Sequence, residues 1–362
     1  MIGRTLGAYF MRRYLIITFW FFTGIFGLIF IVNFTEVSRR VGDLPDYSLW
    51  WGVTFAALQT PFIMQQAVPF IALVSGIATL ISLNRKYELV VARAAGISAW
   101  QFLLPICIGA LLFGFAALFV LNPLASFGYE RTQFLEADIR GGNNTPVAGG
   151  EAPWIKQRFG QTETYIGAAG VLDEGLQLVG ATFIVIGADM DAMERFDAQR
   201  AFLRASEWQL ENARRTTRGN PPELMETVAI PTNLTPEFVL ERLASPETIP
   251  IFQLPRKIAA ARSFGLPANN FAMHMHSMLA MPALLVAMTL IAATVSMRFA
   301  RMGQSSAMIL GGVMAGFLLY VVTVLVKAFG SAGFVPPVAA AWFPVVVAGF
   351  FGVTFLLYRE DG

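Results

Sequence analysis

Adjacent arginines at positions 39 and 40 are the first candidates for ligand chemistry in this sequence. A planar guanidinium bonds phosphate through two parallel N–H donors, so a pair of them suits a phosphorylated ligand. They follow an apolar run, which leaves a second use open: ordinary anchoring at a membrane surface, the commoner role for such residues. Lys327, at the end of another apolar run, has the same two readings. A second cluster lies in Leu83 to Ser98, LNRKYELVVARAAGIS. It predicts a short amphipathic helix closed by Gly96, with Leu89, Val90 and Ala94 near one face and Glu88 and Arg93 flanking it. Such a helix is either a solvated loop element or a coupling helix that docks in a groove of a separate ATPase. Residue types alone leave both open. His274 and His276 are two residues apart, which puts them on different helix faces and argues against a shared metal. Interfacial histidines are the commoner reading, and a proton relay is the rarer one. Gly312-x-x-x-Gly316 permits close approach of two helices.

Several chemistries are excluded. No G-x-x-x-x-G-K-[ST] loop is present, so the chain is not expected to hydrolyse ATP. G-x-S-x-G and H-E-x-x-H are also missing. One cysteine, Cys107, rules out a disulfide framework. No apolar run carries a carboxylate, which argues against a proton- or ion-coupled transporter. The expectation is a non-enzyme with no cofactor, no metal and no nucleic-acid partner.

The elements that position these residues belong to a membrane. Of 362 residues, 56% are hydrophobic and 14% charged, with a mean hydropathy of +0.58. Charge-free runs cover Tyr14 to Thr35, Tyr47 to Asn84, Ala94 to Tyr129, Ser263 to Met297, Met302 to Val326 and Ala328 to Tyr358. Each holds the roughly 20 apolar residues that a spanning helix needs. Spans are expected near 14–34, 57–82, 102–122, 272–296, 305–327 and 338–358. The first is too long for a signal-peptide core and is read as retained. Arg4, Arg12, Arg13, Arg85, Lys86, Arg93, Arg298, Arg301 and Arg359 all fall on one side of these spans, which marks that side as cytoplasmic. Across from them, Arg39 and Arg40 are offset by Glu36, Asp43 and Asp46.

Between the third and fourth spans lies a long segment, 123–270, with 14 basic and 18 acidic residues; the rest of the chain has 12 and 6. It reads as a water-exposed domain inserted into a basic membrane body. Leu176 to Gly187 is rich in β-branched and aromatic residues, and Gly141-Gly142-Asn143-Asn144, Gly149-Gly150, Gly219-Asn220-Pro221-Pro222 and Ser245-Pro246 are turn signals. The core, about 144–245, is expected to be all-β, a sandwich or jelly roll. Residues 250–265 return to a helical pattern with Arg256, Lys257 and Arg262, expected as an amphipathic connector near the membrane surface. The fold class is thus an α-helical membrane protein with six transmembrane helices (1–122 and 271–362) and a jelly-roll-like periplasmic domain between helices 3 and 4.

This layout resembles the lipopolysaccharide export permeases of the LptF/LptG family over essentially the whole chain. LNRKYELVVARAAGIS is similar to the family's coupling segment. NFTEVSRRVG (Asn33 to Gly42) and TNLTPE (Thr232 to Glu237) resemble the LptG branch more than LptF. The resemblance implies an LptF-type sister permease, a homodimeric LptB-type ATPase, and an LptC-type bitopic protein that passes lipopolysaccharide to a periplasmic bridge from the inner membrane. It implies that Glu88 contacts the ATPase, within a coupling set of Arg85, Glu88, Leu89, Val90, Arg93 and Gly96. It also implies a lipid A rim at Arg39 and Arg40, with Phe34, Glu36, Tyr320 and Lys327 as further substrate-binding candidates. Asn33 stands where some members carry a lysine, which weakens the electrostatic case at that position and leaves open whether Lys327 compensates. The alternatives are the sister LptF, a mechanotransmitting ABC subunit that carries no substrate, or a membrane enzyme acting on lipid.

Overall fold

The computed structural model describes residues 3–41, 49–142, 154–159, 162–172, 176–187, 193–204, 206–217, 221–236, 238–239, 246–263, 268–296 and 306–360. Asp43, Asp46, Asn143, Asn144, Gly149, Gly150, Gly219, Asn220, Ser245, Arg298 and Arg301 lie outside the described residues, as do the side chains of Arg40 and Arg359. The chain forms two compact units, 1–125 with 269–362, and 126–268.

The helices in chain order are α1 (Arg4–Val41), α2 (Leu49–Arg85), α3 (Glu88–Ala94), α4 (Ala99–Ala116), a π-helical turn at Ala117–Leu121, and α5 (Asn122–Gly142). After the strands come α6 (Leu254–Ser263), α7 (Asn269–Ser296), α8 (Ser306–Ser331) and α9 (Pro337–Glu360). Six helices are long and apolar enough to cross a membrane: Arg4–Arg39, Leu49–Arg85, Ala99–Thr132, Asn269–Ser296, Leu310–Ser331 and Pro337–Tyr358. They overlap the six expected spans, but several run further. At 1.5 Å per residue, α1 is about 57 Å long, well beyond the roughly 30 Å of hydrocarbon a span must cross. Arg39 therefore stands on the last turns of α1 and not in a loop after it.

α7 is the axis of the membrane unit, packing against α2, α4, α8 and α9. Glycines make the close contacts. A Cβ at Gly114 of α4 would lie 2.5 Å from Pro282 Cα, and one at Gly76 of α2 would lie 2.8 Å from Ala292 Cβ. The Gly312/Gly316 pair does what its spacing suggested: Gly312 faces Val295 of α7, and Gly316 faces Leu73 of α2. With little hydrophobic drive between helices in lipid, such close van der Waals contact holds a bundle together. Gln65 of α2 and Asn122 of α5 both donate to Met278 Sδ of α7, at 2.7 and 3.8 Å, so amides inside the bundle find an acceptor.

The second unit holds six antiparallel strands: β1 (Trp154–Phe159), β2 (Thr162–Leu172), β3 (Gln177–Ile186), β4 (Met193–Arg204), β5 (Glu207–Thr217) and β6 (Glu223–Pro231). Each pairs with the next, so the strand order follows the chain. A row of small residues crosses four strands in register, Ala168, Ala181, Ala198 and Ala213, all buried. Beside this row the inward side chains change parity. Ile166 and Ala168 give way to Val171, Leu178 to Ala181 and Phe183, Phe196 and Ala198 to Ala201 and Leu203, and Trp208 and Leu210 to Ala213. Gly180 and Asn212 have positive φ, 59° and 51°, at the step where the parity changes. Such left-handed residues turn a strand locally, as bulges do where sheets make corners. One meander thereby keeps its core inward on both sides of the line. The ends also meet. Buried Gln157 of β1 donates to the carbonyl of Pro231, 3.2 Å away, and accepts from the hydroxyl of Thr232. α6 falls within the expected connector, and Leu254, Ile258 and Ala261 are buried in its apolar stripe.

Candidate coupling and substrate-binding sites

The segment after α2 is shaped by two backbone switches. Tyr87 takes a left-handed φ of 58°, which breaks α2 and starts α3. Gly96, at φ 81°, ends it: Gly96 N–H donates to Arg93 O at 2.9 Å and Ile97 N–H to Ala92 O at 3.1 Å. Glycine fits here because a Cβ penalises this conformation. Ser98 then caps α4 by accepting from Gln101 N–H at 3.4 Å.

Within α3, Leu89 and Ala92 are buried, while Tyr87, Val90, Val91, Arg93, Ala94 and Gly96 are exposed. This corrects the expected grouping of Leu89 with Val90 and Ala94. Neighbours on a helix point about 100° apart, so Leu89 anchors α3 to its own bundle and Val90 faces away. Glu88 turns inward. Its Oε1 accepts from the Tyr9 hydroxyl of α1 at 3.1 Å, and its Oε2 is shielded with no hydrogen-bond partner. One turn along α1, Arg13 Nη2 donates to Ser82 Oγ at 2.8 Å. Sequence reasoning missed Tyr9 and Arg13. Their i,i+4 spacing at the basic end of α1 was the only available signal. Arg85 is exposed and, with Lys86, borders a cleft of about 510 Å³ along Val74, Ile77, Ala78, Ile81 and Ser82.

The rim candidates sit on two helices that pack separately on α2. On α1, Arg39 Nε and Nη2 bond the Glu36 carboxylate at 3.0–3.2 Å, and the Arg39 side chain is 74% exposed. An exposed i,i+3 pair of this kind is held weakly, so it can open towards a more strongly charged anion. Phe34 is half-buried. Asn33 is buried and donates to Ala56 O of α2 at 3.4 Å, so it joins two helices. On α8, Tyr320 is half-buried and its ring packs on Phe70, with centroids 5.1 Å apart. Lys327 is half-buried and lies within electrostatic range of His274 on α7. His274 Nε2 is shielded and lacks a hydrogen bond. Among the described residues no group of three His, Cys, Asp or Glu side chains could hold a metal.

α1 and α8 are the most open spans. Only 6% of the apolar window of α1 and 17% of that of α8 are buried, against 61% for α2 and for α7. Phe19, Trp20, Leu28, Ile31 and Val32 of α1 and Phe317, Leu318, Val321 and Leu325 of α8 face outward. These faces suit lipid or another apolar helix.

The strand unit carries several ion pairs among the described residues, including Arg195 with Asp197 and Arg215 with Glu194. Glu163 of β2 bonds Lys156 Nζ of β1 at 2.7 Å and also bonds Arg158. Hydrogen bonds from Lys156 and Arg158 hold its carboxyl below the usual carboxylate range.

A family model described as lipopolysaccharide export system permease LptF/LptG matches residues 8–359. No curated protein matches the chain.

Proposed function

Because the chain belongs to the LptF/LptG family of lipopolysaccharide export permeases, we propose that it is the LptG-type subunit of an inner-membrane ABC exporter. A transport subunit of this family is not itself a catalyst. Its partners in our reading are an LptF-type permease, an LptB-type ATPase dimer and an LptC-type bitopic protein leading to a periplasmic bridge. The termini and α3 lie in the cytoplasm and the strand unit in the periplasm, as the basic residues flanking the spans favour. ATP is bound by the ATPase alone, and the chain needs no cofactor. The LptG assignment rests on NFTEVSRRVG and TNLTPE.

The observation that carries the reading is α3. Its inner face is fixed by Leu89 and Ala92, and its outer face presents Tyr87, Val90, Val91 and Ala94. Fully burying a valine contributes roughly 1.5–3 kcal/mol, so Val90 and Val91 form a compact anchor for a groove in a partner. Motion of the ATPase enters the bundle there. The open faces of α1 and α8 meet the sister permease and enclose lipid acyl chains, with Arg39, Arg40 and Lys327 at the phosphates. Phe34, Glu36 and Tyr320 complete that rim. Closure of the ATPase dimer narrows the cavity and drives the lipid towards the strand unit, a mechanical two-state rearrangement.

The test is affinity purification in mild detergent, with mass spectrometry of proteins and lipids. The reading expects an ATPase, a second six-span permease of the LptF type and lipopolysaccharide in one eluate. A second permease of the LptG type would reverse the branch assignment. A chain that elutes with bulk phospholipid alone would sink the exporter reading for this protein.

A further inference from the structure

We propose that Tyr9 and Arg13 are positioning residues that carry motion of α3 directly into the first span. This rests on the reading of α3 as the ATPase-docking helix. Along the chain α3 is joined to α2 and α4 through turns, beside its packing on α2. On one side Lys86 and Tyr87 form a turn with Tyr87 in the left-handed region; on the other stands Gly96 at φ 81°. A turn transmits displacement along the chain poorly, because one or two dihedrals absorb it. The side-chain route bypasses both turns. Glu88, in the first turn of α3, accepts from Tyr9, 79 positions earlier, at 3.1 Å. Arg13, four residues on and hence on the same face of α1, grips Ser82 in the last turns of α2 at 2.8 Å. Tyr9 and Arg13 stand one turn apart on α1. The four side chains thus form two rungs of a ladder, Glu88–Tyr9 and Arg13–Ser82, across three helices.

What makes this ladder functional is the far end of α1. The helix is continuous from Arg4 to Val41, so Tyr9 and Arg39 are on one element. Thirty residues at 1.5 Å each separate them by about 45 Å. Near Tyr9 the helix is held by buried Phe10 and Tyr14, and Phe10 meets the Phe102 ring of α4 with centroids 6.5 Å apart. Past Thr18 it presents Phe19, Trp20 and Leu28 outward. A displacement at Glu88 is therefore delivered along one stiff rod to the end that carries Phe34, Glu36 and Arg39. Among the described residues this gives a direct mechanical link between the two candidate sites.

The experiment uses the assembled complex in nanodiscs, measuring ATP hydrolysis and lipopolysaccharide release together. Tyr9→Phe deletes only a hydroxyl and should leave folding and ATPase association intact. We expect ATP hydrolysis to persist while lipid released per ATP falls at least about fivefold, the lower end of typical coupling between sites. Arg13→Met should show the same split, and Arg13→Lys, which keeps a donor for Ser82, should recover most of it. Spin labels on α1 and on the outer face of α3 give a second readout: nucleotide shifts both in the wild type but only α3 in Tyr9→Phe. A wild-type ratio of release to hydrolysis in Tyr9→Phe, with α1 still moving, overturns the proposal and leaves the docking of α3 standing. Failure of the wild-type chain to retain an ATPase overturns both.

Discussion

Gly114→Ala isolates one contact between α4 and α7. The added Cβ would sit 2.5 Å from Pro282 Cα, 2.9 Å from its Cβ and 3.3 Å from its nitrogen. Carbon atoms pack optimally at about 3.5–4.0 Å, so the two helices must part by about 1 Å, because two of these three atoms are backbone and cannot rotate away. Overpacking of this kind costs about 1–3 kcal/mol. Alanine in place of glycine returns up to about 1 kcal/mol in helix propensity. The net expectation is a loss of roughly 0–2 kcal/mol. Gly27→Ala, in α1, is the control. Nothing lies within 4 Å of its new Cβ, so it keeps the propensity gain without the clash. The difference between the two variants is therefore about 1–3 kcal/mol, the overpacking cost alone. Thermal unfolding of the purified protein in detergent reads it as an ordering: Gly27→Ala at or above wild type and Gly114→Ala below both. If Gly114→Ala melts with Gly27→Ala, the approach of α4 to α7 is not limited by contact at this glycine.

Three further predictions use other parts of the molecule. Gly96→Ala forces a Cβ into the left-handed region with no steric neighbour, so it should cost about 1–2 kcal/mol of backbone strain. Hydrogen exchange in α3 should then speed up, and unchanged protection there would contradict the strain argument. Glu163 has a folded-state carboxyl below its unfolded range, so its contribution is complete above the unfolded pKa and is lost as pH falls through that range to the folded value. Exchange protection of β1 should accordingly fall on acidification, and Glu163→Gln should flatten that dependence; an unflattened curve would place the acid sensitivity elsewhere. The double variant Arg39→Glu with Arg40→Glu should weaken lipopolysaccharide retention while leaving ATPase association intact. Equal lipid retention in the purified double variant would remove the cationic rim from the mechanism.

The spans were legible because hydrocarbon excludes charge, so each charge-free run announced a helix. Their ends were not, since a helix continues into water wherever its backbone bonds allow, and apolar content is silent there. α1 thus begins at Arg4 and reaches Val41, beyond the apolar stretch from Tyr14. The strand unit was visible in Leu176 to Gly187, but the alanine row at 168, 181, 198 and 213 was not. Those residues are unremarkable along the chain and acquire meaning only through cross-strand register. The same division runs through the coupling segment. Gly96 declared its turn because glycine is the residue that tolerates positive φ. Tyr87 concealed an equivalent turn behind a side chain that disfavours it. Glu88 was read from its segment alone, and its inward bond to Tyr9 depended on a helix 79 positions away.

The distribution of small residues bears on how such a bundle can move at all. Contacts made by glycine against backbone or Cβ leave no side chain to repack, so they resist separation as rigid stops. Here they gather on α7: Gly114 on Pro282 Cα, Gly76 on Ala292 Cβ and Gly352 on Leu290 Cβ. α1 shows the opposite pattern. Gly24 and Gly27 meet nothing within 4 Å, and the helix is held by large side chains such as Phe10 and Tyr14 and by side-chain hydrogen bonds from Tyr9, Arg13 and Asn33. Side chains of that kind can change rotamer and let a helix slide or tilt at modest cost. Any rearrangement driven through α3 should therefore be taken up by α1, while α2 and α7 keep their spacing. A cysteine pair placed across α2 and α7 should be tolerated with full turnover, whereas one that fixes α1 to α2 should stop lipid release; the reverse result would put the moving wall elsewhere.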